Sequence, residues 1–250
     1  MQGDNGFGDM LALVKDLRQR CDFDRALTLD SLRPYLREEL AEFEEALDQS
    51  DEARIAAELG DLFLHCAFQL VLAEERGAFD LAEVSRRLVA KMKARHPHLY
   101  ADGAKPDWEK HKAQERARVA RERGEPVSVL GHLPPGLPEL ERAYRFQERA
   151  ATVGFDWPDV AGPLEKLEEE VRETRAHPAE EVGDVLFAAV NVARKAGIHP
   201  STALRHATEK FTRRFRAVER LAAERGIDVA AAGLEALDAL WDEVKGRLHD

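Results

Sequence analysis

Two cysteines in 250 residues, Cys21 and Cys66, are too few for a disulfide framework, and their separation fits no zinc-ligand spacing. A reducing compartment suits such a chain. Aromatics are sparse too, with three Trp, three Tyr and eleven Phe, and the β-branched alternation that marks strands is almost absent. Positive charge is outweighed: 37 Lys and Arg against 48 Asp and Glu leave −11 at pH 7, which argues against a general DNA- or RNA-binding surface. Residues 1–10 carry Asp4 and Asp9 and no apolar core, so no secretory signal is expected there. The most apolar run, Leu62–Ala73, is interrupted by His65 and Gln69 and is too short to span a bilayer. The expectation is a soluble, cytoplasmic protein with no membrane segment.

What is present favours helix. Hydrophobic residues make up 44% and charged residues 34%, with long stretches rich in Ala, Leu, Glu and Arg. The length suits one large domain or two of about 125 residues. Residues 123–138 hold four of the eleven prolines and three glycines between helical stretches, which marks a boundary. The two sides of it repeat one another. Before it come Phe23-Asp24, Glu38-Glu39-x-x-Glu42, Glu58-Leu-Gly-Asp61, Lys91-x-x-x-Arg95 and Trp108-x-x-x-Lys112. After it come Phe155-Asp156, Glu169-Glu170-x-x-Glu173, Glu181-Val-Gly-Asp184, Lys210-x-x-x-Arg214 and Trp241-x-x-x-Lys245, in the same order. The chain is an internal duplication, with modules expected at 1–122 and 139–250 and a linker at 123–138.

Each module reads as a helical bundle. Leu164, Leu167 and Val171 form an apolar stripe, as do Val182, Leu186 and Val190, then Phe211, Phe215 and Val218. Leu36, Leu40, Phe43 and Leu47 do the same in the first half. Short connections such as residues 176–179 imply antiparallel neighbours.

Glu170 and Glu173, three residues apart, share one helix face, and Glu181 and Asp184 repeat the spacing on the next helix. If the helices pack antiparallel, four carboxylates converge, and their repulsion calls for cations. The first half offers a second set in Glu39, Glu42, Glu58 and Asp61. Oxygen donors without His or Cys suit a hard ion, Mg²⁺ with Mn²⁺ as substitute. Either motif alone is common on solvated helix faces; the ordered pair, present twice, is the signal. Gly60 and Gly183 cost helix stability between the carboxylates, which suggests a close helix approach there.

Other residues admit two readings. Lys210 and Arg214 sit one turn apart and can meet phosphate oxygens, although residues 209–216 also read as a solvated charged face. Asn191 lies two turns beyond Asp184 and can hold a metal-bound water or a sugar hydroxyl, or be a buried Asn bonded to backbone. Trp241 can stack on a base or belong to the core. His96-Pro97-His98 reads as a helix-ending turn rather than a metal pair.

The paired carboxylate motifs resemble the signature of the all-α nucleoside triphosphate pyrophosphohydrolases. The tandem arrangement, with Arg95-His-Pro-His-Leu-Tyr100, Val153-Gly-Phe-Asp-Trp157 and Glu209-Lys-Phe-x-Arg-Arg-Phe215, is similar to the MazG type in particular. That resemblance spans about Phe7 to Leu248. It implies two all-α modules that pair as homodimers, and hydrolysis of nucleoside triphosphates to monophosphate and pyrophosphate with broad base tolerance. By position, Glu170, Glu173, Glu181 and Asp184 match the family's Mg²⁺ ligands. Lys166, Glu169, Glu180, Lys210, Arg214 and Trp241 match its nucleotide-contacting positions, and Glu169 can accept the proton of an attacking water. The connector between the motifs departs from the family: it is short, contains Pro178, and has His177 where the family often has Lys. Two rival readings are a non-enzymatic acidic module that binds basic partners, and a di-iron-type bundle, which would need Glu-x-x-His motifs absent here.

Overall fold

A computed structural model describes residues 6–101, 108–124 and 126–247, the side chains of residues 108–111 aside. The described residues form helices and no strand, as the composition predicts. Packing divides the chain into two compact units, Met1–Pro106 and Asp107–Asp250.

The first unit holds α1 (Phe7–Arg20), α2 (Asp22–Ala26), α3 (Leu32–Gln49), α4 (Glu52–Glu75), α5 (Leu81–Arg95) and α6 (Pro97–Tyr100). α3 stops where Ser50 turns left-handed at φ 54. Asp51 then caps α4, its Oδ1 accepting from the backbone N–H of Ala53 at 3.1 Å and of Arg54 at 3.2 Å. With so short a connection the two helices fold back as an antiparallel hairpin. The core forms where Leu11 and Val14 of α1 meet Ala67, Phe68 and Val71 of α4. Arg18 fastens the end of this packing: it grips the Glu75 carboxylate at 2.7 and 2.8 Å and donates to the Asp24 carbonyl at 2.7 Å.

α4 corrects one expectation. The apolar run extends on both sides into a 24-residue helix, long and apolar enough by composition to cross a membrane. Yet it buries seven residues, among them those facing α1, while Glu58 and Asp61 mark a polar edge. That is the pattern of a core helix. At the other end of the unit, α5 ends at Arg95 and His96 is its C-cap, so the His-Pro-His stretch is the expected turn into α6.

The second unit holds α7 (Trp108–Glu122), α8 (Glu139–Ala151), α9 (Ala161–Thr174), α10 (Pro178–Lys195), α11 (Pro200–Glu224) and α12 (Gly233–Arg247). The Trp108 side chain of the repeat lies outside the described residues. α7 and residues 123–138 group here, so packing divides the chain ahead of the proline-rich stretch. α9 and α10 pair closely through a three-residue connection, with Pro178 at the N-terminal start of α10, where its missing N–H costs nothing. α8 is fixed to α10 by buried Gln147, whose Nε2 donates to the Phe187 carbonyl at 2.8 Å. Asp156 accepts from Arg194 at 3.1 Å and from Lys195 at 3.3 Å, tying residues 153–157 to the end of α10. Those bonds, Arg194 first, hold the Asp156 carboxyl below its usual range against the opposing effect of burial. Trp157 lies on Gly162, where any Cβ would overlap the indole. A separate core joins α11 and α12 through Val218, Leu221, Ala222, Leu240 and Val244.

The apolar stripes form at helical spacing, but most face outward. Leu36, Leu40, Leu47, Leu164, Val171, Val182, Leu186 and Phe211 are all exposed, whereas Val190 and Val218 are buried. α5 buries none of its residues. The inference of close helix approach at Gly60 and Gly183 also fails: a Cβ at either position meets no atom within 4 Å. Helix propensity alone therefore decides there, and Gly183→Ala is expected to stabilise the protein by up to about 1 kcal/mol. Thermal melting tests this; a fall in melting temperature would mean that another surface closes on that glycine.

Candidate active site

The two hairpins, α3–α4 and α9–α10, each bring three carboxylates together. In the second unit, oxygens of Glu170, Glu173 and Glu181 lie within 4.8 Å of one another. In the first unit the set is Glu39, Glu58 and Asp61, within the same limit. Asp184 and Glu42 stand outside these sets. The equivalents of Glu39 and Glu58, namely Glu170 and Glu181, are clustered in both, and the remaining member differs between the hairpins.

Charge is handled differently in the two units. Lys166 of α9 reaches both Glu169 at 2.8 Å and Glu170 at 2.6 Å. Glu170 is buried, and Lys166 places a cation directly on the cluster. Glu169 above all, then Glu170, raises the Lys166 ammonium above its usual range, and Lys166 in turn holds the Glu169 carboxyl below its own. In the first unit Tyr35 takes the place of Lys166 and supplies no charge. There, partial desolvation, followed by Glu58, Glu39 and Glu38, pushes Glu42 above the usual carboxylate range, with Arg54 opposing. Arg54 Nε stands 3.5 Å from Glu58 and the guanidinium binds Glu45 more tightly, at 2.7 Å.

The remaining predicted residues are spread over three helices. Glu180 is exposed in the first turn of α10, and His177 is its N-cap residue. Asn191 is buried on α10, and its Oδ1 accepts from Arg194 at 2.7 and 3.0 Å. Its oxygen is thus engaged by a side chain of its own helix. Lys210 and Arg214 lie on α11, the former exposed and the latter half-buried. Trp241 packs on Phe211 with centroids 5.4 Å apart, beside the α11–α12 core. Its ring is already engaged by the protein.

Sequence reading passed over His65. It lies four residues after Asp61 on α4, is buried, and its Nε2 stands 3.6 Å from Glu39 Oε1. The signal was available, because Ala188 occupies the matching place after Asp184.

The donor set fits a divalent ion: clustered carboxylate oxygens, one of them on a buried Glu, repel one another unless a cation sits among them. A pattern described as the MazG nucleotide pyrophosphohydrolase domain matches residues 27–100. A Thermotoga maritima protein named nucleoside triphosphate pyrophosphohydrolase/pyrophosphatase MazG is 38% identical over 96% of both chains. An Escherichia coli nucleoside triphosphate pyrophosphohydrolase is 36% identical over 93% of both. A Bacillus subtilis protein, YabN, named as uncharacterized, is 36% identical over 96% of this chain and 51% of its own.

Proposed function

The chain belongs to the MazG family, and from that premise we propose that it hydrolyses nucleoside triphosphates to monophosphate and pyrophosphate with a divalent ion held by its clustered carboxylates. The observation that carries this is the Glu170, Glu173 and Glu181 set, oxygens within 4.8 Å, on the α9–α10 hairpin. The hydrolase names of relatives that match nearly the whole chain favour an enzyme over a non-enzymatic acidic module. The all-oxygen set of the second unit, with Asp184 one turn beyond Glu181, favours Mg²⁺, with Mn²⁺ as substitute. A cytoplasmic location fits the free Cys21 and Cys66.

When bound, the ion would neutralise triphosphate charge and lower the pKa of a coordinated water. The protein's own groups supply the rest. Glu170, Glu173 and Glu181 hold the ion from the hairpin, and Asp184 extends the donor face. Lys166 keeps Glu169 ionised and at the same time weakens it as a base. A triphosphate that draws the Lys166 ammonium to its oxygens releases Glu169, which then accepts the proton of the attacking water. Glu180 sits in the first turn of α10 beside Glu181, and Lys210 and Arg214 add cations for the phosphates. Asn191, its oxygen held by Arg194, has its amide N–H groups to offer a sugar hydroxyl or a metal-bound water.

The duplication supports modules at 1–122 and 139–250 joined through 123–138, with the second as the main catalyst. It has Lys166 where the first has Tyr35, and Asn191 where the first has Phe68. The outward apolar stripes support a homodimer, because modules of this size bury little on their own. The test of the activity is incubation with dNTPs and Mg²⁺; release of orthophosphate alone would end the proposal. The ranking of the halves is tested by comparing Glu42→Gln/Asp61→Asn with Glu173→Gln/Asp184→Asn. The second pair is expected to remove most pyrophosphate release and the first pair to leave most of it. Equal losses would overturn the ranking.

A further inference from the structure

We propose that His65 is a metal ligand in the first unit, making its carboxylate cluster a mixed nitrogen–oxygen site that takes a first-row transition ion in preference to Mg²⁺. The proposal rests on the reading that this cluster holds a metal, and it adds a donor atom and a metal class.

The carboxylates alone would not carry it. Glu39, Glu58 and Asp61 lie within 4.8 Å of one another, but acidic groups gather on many helices without an ion. The imidazole is the independent observation. The His65 side chain is 10% exposed, and neither ring nitrogen makes a hydrogen bond. Nδ1 is buried without a partner, and Nε2 points at Glu39 Oε1 from 3.6 Å, beyond hydrogen-bond reach. Nε2 is the nitrogen on the Glu39 side, and with no hydrogen bond of its own its lone pair can take an ion there once the ring proton sits on Nδ1.

The separation suits a shared ion. Two donors each ~2.1 Å from one metal stand about 3–4 Å apart, which spans the gap between Nε2 and Glu39; His65 stands outside the three-oxygen set and would close on Glu58 and Asp61 only with the ion. Position along the chain agrees. Glu58, Asp61 and His65 follow one another at three and four residues, so they line one stripe of α4, with Glu39 facing from α3. Tyr35 stacks on the imidazole at 6.4 Å with a 21° interplanar angle, which limits rotation of the ring. Competing cations are few. Arg54 is drawn to Glu45 at 2.7 Å and Gln49 at 2.9 Å and only grazes Glu58 at 3.5 Å.

The chemistry then separates the two units. Imidazole is a ligand for Mn²⁺, Fe²⁺, Co²⁺ and Zn²⁺, whereas Mg²⁺ prefers oxygen and water. The second unit has Ala188 at the matching position and keeps an oxygen-only set. One chain thus presents two related carboxylate sites of different softness.

The test uses the full chain with the second site disabled by Glu173→Gln/Asp184→Asn. Mn²⁺ is added alone, and pulsed electron paramagnetic resonance reads nitrogen modulation on the bound ion. A ¹⁴N signal is expected, changing to ¹⁵N when the protein is grown on labelled histidine, a control that needs no further variant. His65→Gln is expected to remove the signal and to narrow the preference for Mn²⁺ over Mg²⁺ at least tenfold in competition titrations. Bound Mn²⁺ without nitrogen modulation, and with affinity unchanged in His65→Gln, overturns the role of His65 while the carboxylate site stands. No Mn²⁺ bound at all overturns both that site and this proposal.

Discussion

Replacing Glu170 by glutamine is expected to lower pyrophosphate release by a factor on the order of 10² or more, without loss of fold. Glu170 is the buried member of its cluster, its side chain 8% exposed and an oxygen within 4.8 Å of Glu173 and Glu181. Glutamine keeps the volume and removes one of three charges that repel. Losing half of an ion pair usually destabilises, because the partner is stranded. Here Lys166 is 41% exposed and keeps Glu169 at 2.8 Å, so no charge is left alone. The melting temperature without divalent ions should therefore hold or rise slightly. A fall of many degrees in that state would make Glu170 a structural residue, and near-normal turnover would remove it from the site.

Leu186→Glu is expected to turn a dimer into a monomer. Leu186 is 58% exposed, one turn from exposed Val182 on α10, and α9 adds exposed Leu164 and Val171. If a second copy covers this stripe, a glutamate there becomes a buried, unpaired charge costing several kcal/mol. In the isolated chain the same side chain points to water and costs almost nothing. Light scattering should read twice the 28.1 kDa chain mass before the change and the chain mass after it. An unaltered protein already at chain mass at micromolar concentration would defeat the dimer proposal.

Much of this fold is legible in the sequence because helices announce themselves locally. The motif spacing and the short connection before Pro178 place α9 on α10, and the repeat carries the same pairing to α3 and α4. From there the clustering of Glu39 with Glu58, and of Glu170 with Glu181, needs only helix geometry. What stands opposite a residue is not local, and there the reading falters. Gly183 breaks helix propensity, yet no neighbour touches it. Stripe periodicity identifies Leu40 and Leu186 as one-sided without saying that their side stays open. α7 is so rich in charge that its sequence offers no apolar stripe to settle which unit it joins. His65 hides inside the most apolar helix, where one imidazole looks like core.

The hairpin turn at Ser50-Asp51 has a consequence for how the site comes into being. Every carboxylate of the first cluster, Glu39 through Asp61, lies within one stretch of chain folded once on itself. The second cluster needs still less, Glu170 to Glu181. Closing loops this short costs little chain entropy and takes well under a millisecond. Each site is therefore assembled by contacts close in sequence, of the kind that form early in helical proteins. An ion present during folding meets its ligands as soon as two neighbouring helices meet, before the remaining helices need to dock.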